Sequence, residues 1–125
     1  MAKITGLGGI FHIVANPEAT RKWYAETLGL TGEYGPMLRW SDEACDQPYS
    51  LVSHFQDETY LKPSDAKFMI NFRVDDLEGY LTMLRGKGVE ILGEADEGYG
   101  KFAWILDCDG IKLEFWQQME APPAN

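Results

Sequence analysis

Four polar side chains lie in two segments of alternating polarity in the second half of the chain. Asn71 and Arg73 belong to "FMINFRV", and Lys112 and Glu114 belong to "IKLEFW". Side chains along a strand point alternately to its two faces, so these four lie opposite their apolar neighbours. Two interpretations stay open for Glu114. It forms a structural ion pair with Arg73 or Lys112, or it belongs to a polar patch that hydrogen-bonds a ligand.

The chain has two histidines, His12 and His54, and two cysteines, Cys45 and Cys108. Alternation in the first predicted strand places His12 on the helix side, where we expect it to be packed with one hydrogen bond. His54 is the stronger functional candidate. The cysteines match neither a disulfide framework nor a metal knuckle, so we expect reduced, semi-buried thiols. No glycine-rich phosphate loop, nucleophile elbow or HExxH occurs.

The elements that position these residues follow from a repeat, because the second half of the chain has the plan of the first. Segments 11–30 and 70–89 each contain a strand ending in valine, a polar break, an amphipathic helix and a closing glycine. The repeat predicts two copies of one supersecondary unit in a single domain over 1–125. We place the modules at about 6–57 and 67–117, with a flexible tail over 118–125.

Each half is predicted to read βαβββ, which gives an α+β fold. Two such modules form a curled, cup-shaped mixed sheet of eight strands, with helices at about 17–28 and 76–86 on its outer face. Strands are predicted at 8–14, at several places between 31 and 56, and at 68–74, 89–92, 101–106 and 111–117. Pairing of the last two strands across a tight turn at "DCDG" puts Phe102 and Trp104 on the helix side, which leaves Phe11, Trp40 and Trp116 as walls of the cup.

Composition excludes several partners. The formal charge of −9 disfavours nucleic acid and anionic membranes, where basic residues must displace counterions. No apolar run approaches the length of about 20 residues that spans a bilayer. The opening "MAKITGLGG" lacks the apolar core of a secretory signal, so we expect a cytoplasmic protein.

The order of "WYAETLGL", "FMINFRVDDLEGYLTMLRGKGV" and "DCDGIKLEFW" resembles the vicinal-oxygen-chelate superfamily over about 6–117. That superfamily includes glyoxalase I, extradiol dioxygenases, bleomycin-resistance proteins and fosfomycin-resistance enzymes. The resemblance implies metal-ligand positions at Gly9, Met69 and Glu114, with a fourth somewhere in 50–55. Glycine has no donor, and a thioether is a weak ligand for hard or borderline ions. We therefore expect no cofactor and no bound metal.

We accordingly predict a glyoxalase/bleomycin-resistance-like protein that binds a small molecule in the cup without metal, with its physiological reaction unknown. One version is sequestration of a cationic drug by an acidic groove. The alternative is a metal-dependent lyase, isomerase or dioxygenase that uses Glu114 and His54. The resemblance also implies a homodimer. Glu114 is the best catalytic candidate, and the predicted ligand-binding residues are Phe11, Trp40, His54, Met69, Asn71, Arg73, Glu114 and Trp116.

Overall fold

The computed structural model describes residues 2–44 and 46–120. Its helices are α1 (Pro17–Trp23), which continues as a π-helical turn over Tyr24–Leu28, and α2 (Leu77–Gly86). Its strands are β1 (Ile70–Arg73), β2 (Gly93–Asp96), β3 (Gly100–Leu106) and β4 (Lys112–Gln118). They form one sheet in the order β1-β4-β3-β2, in which only the β1–β4 pair is parallel. Short 3-10 turns occur at Trp40–Asp42 and Glu58–Leu61.

Local sequence signals account for both helices. The Asn16 side chain accepts a hydrogen bond from the Ala19 backbone N–H, and Pro17 occupies the first turn, where its missing N–H costs nothing. Gly29 ends the π-helical turn with a φ of 75°, a conformation that glycine adopts without strain. Asp76 caps α2 in the same way as Asn16 caps α1. The two predicted helices are therefore confirmed.

The core lies between the sheet and the two helices. Helix α2 buries Leu77, Leu81 and Leu84, and Leu113 of β4 is fully buried beneath them. Tyr24 joins the same cluster from the helical segment of the first half. Both helices thus pack on one side of a mixed sheet, which confirms the predicted α+β class. No helix in the described ranges is long and apolar enough to cross a bilayer.

Helix α1 is attached to the turn between β3 and β4 by hydrogen bonds that join distant parts of the sequence. Tyr24 Oη donates to Asp107 Oδ2 at 2.5 Å, and Thr20 Oγ1 donates to Asp109 Oδ2 at 2.6 Å. Burial, and then the hydrogen bond to Asp107, raises the pKa of the Tyr24 phenol above its ordinary value. The first helix therefore packs as part of the second half's core.

The strands predicted in the first half are absent from its described residues. Residues 8–14 and 31–56 contain no strand in the part of the chain that the structure describes, so the sheet has four strands and not eight. Phe11 and Ile13 are 96% and 99% exposed. A helix satisfies its backbone groups internally, whereas a strand needs a neighbour to pair with. The alternation in this region was therefore not sufficient to form strands within one chain.

Two smaller predictions were also wrong. A strand was predicted at 89–92, but the strand in this part of the chain is β2 (Gly93–Asp96). Val89 and Ile91, just before it, pack against the core. Trp104 pairs with Glu114 across the sheet, so Phe102 and Trp104 face away from the helices. The reason is the length of the connection, which spans residues 107–111 and shifts the register from that of a tight turn.

Two predictions fall at the limits of the described ranges. Gln118, placed in the tail, is the last residue of β4, and residues 121–125 of that tail lie outside the described residues. Cys45 also lies outside them.

The Cys108 side chain is exposed, whereas the sequence predicted a semi-buried thiol. Partial burial and Asp109 raise the pKa of its thiol to about 11, so it is a weak nucleophile at neutral pH.

Candidate functional site

The sheet face opposite the helices carries the polar and aromatic side chains, and we call it the site face. Asn71 pairs with Glu114 across β1 and β4, and Trp104 of β3 pairs with Glu114 from the other side. Directly opposed residues in a sheet point to the same face. Arg73 and Trp116 form the next pair along the same strands.

Glu114 is at the centre of this face and is 7% exposed. Its Oε2 accepts hydrogen bonds from Tyr60 Oη at 2.5 Å and from Trp104 Nε1 at 2.7 Å. Its Oε1 accepts one from Asn71 Nδ2 at 2.7 Å. All three donors are neutral, so the carboxylate is solvated by the protein without a direct counter-ion.

Neither predicted ion-pair partner of Glu114 pairs with it. Arg73 makes a two-pronged ion pair with Glu43, at 3.1 and 3.0 Å. Lys112 Nζ donates to the Tyr60 backbone carbonyl at 2.5 Å and lies over the rings of Tyr60 and Trp104. The structural ion pair was therefore wrong as an interpretation of Glu114.

The electrostatics around Glu114 follow from burial. Loss of water, and then the hydrogen bond to Glu114, raises the pKa of the Tyr60 phenol, so the phenol stays protonated as a donor. Loss of water lowers the pKa of the Lys112 ammonium, while the Glu114 charge acts in the opposite sense. The cluster thus combines one buried negative charge, a nearby ammonium and two aromatic N–H or O–H donors.

A second group of contacts lies at the other end of the site face. The Arg73 guanidinium stands 5.1 Å from the centre of the Trp116 ring and also donates to the Tyr49 carbonyl at 2.9 Å. The Trp116 ring is stacked with Phe102, with 6.4 Å between the ring centres. The buried indole N–H of Trp116 has no hydrogen-bond partner within the described residues, and Gly100 leaves room for the ring edge. These rings form an aromatic floor beside Glu114.

The predicted site residues divide into those that reach the site face and those that do not. Two pairs meet on the site face: Asn71 contacts Glu114, and Arg73 contacts Trp116. The others lie outside the four strands. Phe11 and Trp40 are 96% and 73% exposed, His54 is exposed, and Met69 is half-buried just before β1. His12 is half-buried with its ring edge against Phe68, at 5.5 Å between ring centres.

The residues present do not fit a divalent ion. Each Glu114 oxygen already accepts a hydrogen bond from a neutral donor, Gly9 carries no side chain, and the Met69 thioether is a poor ligand. His54 is exposed and lies outside the cluster. Over residues 2–44 and 46–120, no three His, Cys, Asp or Glu side chains are grouped so that they could hold a metal ion.

Sequence reasoning missed two members of the cluster, Tyr60 and Trp104. Trp104 was assigned to the wrong face, and a five-residue connection in place of a tight turn would have placed it correctly. Tyr60 lies in the polar segment "DETYLKPSDAK", where no periodicity distinguishes it. Its role depends on the tertiary path of that segment across the sheet.

No protein-family model and no curated protein matches this sequence. Solved structures do match it. A glyoxalase/bleomycin resistance protein from a Streptomyces species is 24% identical, with a TM-score of 0.51, over 83% of this chain and 93% of that chain. A member of the glyoxalase/bleomycin resistance protein/dioxygenase superfamily from Sphaerobacter thermophilus is 17% identical, with a TM-score of 0.51, over 85% and 91%.

A third similar structure is an antibiotic binding protein from a Streptomyces species, which is 24% identical with a TM-score of 0.51. It aligns over 87% of this chain and 97% of its own. The chain thus has the fold of the glyoxalase/bleomycin resistance/dioxygenase superfamily. The resemblance inferred from the sequence is confirmed at the level of the fold. Since that fold supports several chemistries, function has to be argued from the site.

Proposed function

We propose that this chain binds a small molecule on the site face, next to Glu114. The observation that carries this proposal is a buried carboxylate solvated only by neutral side-chain donors. No cation contacts this carboxylate directly, burial of a charge is costly, and a hydrophobic core does not require it. Such groups, on a face lined by aromatic rings, are typical of ligand sites with a few oriented polar contacts.

The surrounding rings favour an aromatic or largely apolar ligand. Trp104, Trp116 and Phe102 stand side by side on the site face. Aromatic rings bind other rings in stacked or edge-to-face arrangements, with a gain beyond the buried area. The net charge of −9 and the Glu114 carboxylate favour neutral or cationic compounds over anions.

The proposed binding needs no metal. The donor set around Glu114 does not fit an ion, so a chelator should change neither the melting temperature nor ligand affinity. The melting temperature of Glu114→Gln should likewise not change with chelator or with added divalent ions. A melting temperature that falls with chelator, and no longer does so in Glu114→Gln, would support the metal-dependent alternative instead.

The binding proposal can be tested through the indole N–H signals of the four tryptophans in a 15N-labelled protein. The probe is a library of aromatic amines, phenols and neutral heterocycles. Ligands of the site face should shift the signals of Trp104 and Trp116. They should leave Trp23 unchanged, because Trp23 packs against the core on the helix side. Hits that shift only Trp23, or a library without hits, would contradict the proposal.

We also propose that the chain forms a homodimer. Beside β1, the outermost strand of the described sheet, lies a hollow of about 260 Å³ that is lined by apolar and charged side chains, the apolar ones including Leu28, Leu38 and Phe72. The same chain carries an unpaired segment, 8–14, with strand-like alternation and exposed apolar side chains. A second copy can supply that segment to this edge and receive the equivalent one in return.

The dimer is tested by sedimentation across a dilution series. The wild type should approach twice the chain mass of 14.1 kDa on concentration. Phe11→Asp should stay at the mass of one chain, because it places a charge in the proposed interface. Met119→Asp changes a half-exposed apolar residue of the second half and serves as the control that should still dimerise. A wild type that remains a single chain throughout would refute the dimer.

A further inference from the structure

Tyr60 reaches the site face from outside the sheet. It belongs to the 3-10 turn at Glu58–Leu61, which is held by its cap residue Asp57 and by the buried Leu61. The other groups around Glu114, which are Asn71, Trp104 and Lys112, all come from strands. Tyr60 is thus the one member of the described cluster that a displacement of a short turn could remove.

The contacts of the Tyr60 side chain are those that a free phenol would make. Its hydroxyl donates to Glu114, and its ring meets Trp104 edge-on with 6.2 Å between the ring centres. The Lys112 ammonium lies 5.2 Å from the ring centre. Phe55 closes the other side at 5.2 Å. Because Tyr60 is 40% exposed, it can leave these contacts without opening the core.

We infer that the Tyr60 side chain occupies a ligand subsite, and that the ligand brings a phenol or a similar ring with an O–H or N–H donor to Glu114. This inference rests on the proposed function and specifies its ligand class. The Glu114 oxygen that faces Tyr60 is an acceptor, so an incoming ring must carry a donor in the same position. A site built around a buried acceptor discriminates strongly against analogues that lack the donor.

The experiment removes the internal phenol and supplies it from solution. Tyr60→Ala empties the space beyond Cβ, p-cresol carries the removed phenol ring, and toluene is the same molecule without its hydroxyl. Binding is followed through the Trp104 indole signal. We expect p-cresol to bind Tyr60→Ala at least about tenfold more tightly than the wild type, and at least about tenfold more tightly than toluene does. Tyr34→Ala, at an 88% exposed tyrosine, should bind p-cresol as the wild type does.

Tyr60→Phe guards against a failure of Tyr60→Ala to fold. It keeps the ring and loses the hydrogen bond, so p-cresol should displace it about tenfold more readily than it displaces the native tyrosine. Equal p-cresol affinity for the wild type and both variants would overturn the inference. So would equal affinity of Tyr60→Ala for p-cresol and toluene.

These outcomes separate the subsite from the binding proposal. If library compounds shift Trp104 and Trp116 in the wild type, but p-cresol does not distinguish the Tyr60 variants, the site face stands and the phenol subsite is wrong. If p-cresol binds Tyr60→Ala while no library compound binds the wild type, p-cresol only fills the space left by the side chain, and the subsite fails together with the binding proposal.

Discussion

The two halves of this chain share one sequence plan, yet among the described residues only the second half forms a sheet. Residues 70–118 contain all four strands of the described structure and most of its buried core. Over residues 2–44 and 46–56 the only buried side chains are Tyr24 and Leu28, both in the helical segment, and Phe11 and Ile13 are almost fully exposed. The difference teaches which features are encoded locally. Helices form in both halves because their backbone hydrogen bonds are made within the helix, whereas strands form only where partner strands exist.

The largest expected effect is in amide hydrogen exchange. Amides of β4 such as those of Leu113 and Phe115 open only with the core, whereas amides of residues 8–14 have no strand to protect them. We expect exchange to be at least about a thousandfold slower in β4. Mass spectrometry or NMR at high dilution measures the ratio. Protection of 8–14 that increases with chain concentration would support the dimer. Strong protection at all concentrations would mean that this segment is paired within a single chain.

Two isoleucines, one in each half, allow the packing of the two halves to be compared through the free energy of unfolding. Ile105 is fully buried in β3, and Ile13 is 99% exposed. Ile105→Ala should lower the free energy of unfolding by about 2–5 kcal/mol, since it leaves a cavity. Ile13→Ala should change it by no more than about 0.5 kcal/mol. Urea unfolding should be done at concentrations where sedimentation shows single chains. A comparable loss in both variants would mean that the first half is packed within one chain.

A smaller effect is expected where the halves meet. Tyr24→Phe removes the hydrogen bond to Asp107 and should cost about 1–3 kcal/mol of unfolding free energy at neutral pH. Tyr34→Phe, at an exposed tyrosine, is the control and should cost nothing measurable. A Tyr24→Phe variant as stable as the wild type would show that α1 is held by its apolar contacts alone.

The same variant predicts a pH dependence. The pKa of Tyr24 is raised above 10.0 in the folded chain, so above pH 10 the unfolded chain loses a proton that the folded chain keeps. Stability that depends on this phenol is therefore fully present below pH 10 and decreases as the pH rises further. The gap between the wild type and Tyr24→Phe should narrow above pH 10. A gap that widens there would falsify the assignment.

The sequence predicted the features that depend on neighbouring residues and did not predict those that depend on distant segments. Asn16, Pro17, Gly29 and Asp76 are local signals, and the helices they delimit were placed correctly. The alternation around Asn71 and Glu114 also identified the correct face. Both successes depend on neighbours along the chain.

The failures depend on contacts between distant segments. Alternation at 8–14 cannot say whether a partner strand lies within reach, and the face of Trp104 depends on a register set by the length of a turn. Tyr60 joins Glu114 across 54 positions, so no pattern near either residue predicts the contact. Of the site, the sequence predicted the acceptor and one of its donors, Asn71.

The hydrogen bonds that attach α1 have a consequence for synthesis of the chain. Tyr24 is hydrogen-bonded to Asp107, which is 83 positions later in the chain, and Thr20 to Asp109, which is 89 positions later. At about 5–20 residues per second, a ribosome needs roughly 4–18 s to add those residues. During that time Tyr24 and Leu28 emerge without the surface that later covers them. The segment over 17–28 therefore leaves the ribosome before the surface that packs against it, and nascent-chain chaperones have their longest opportunity to bind there.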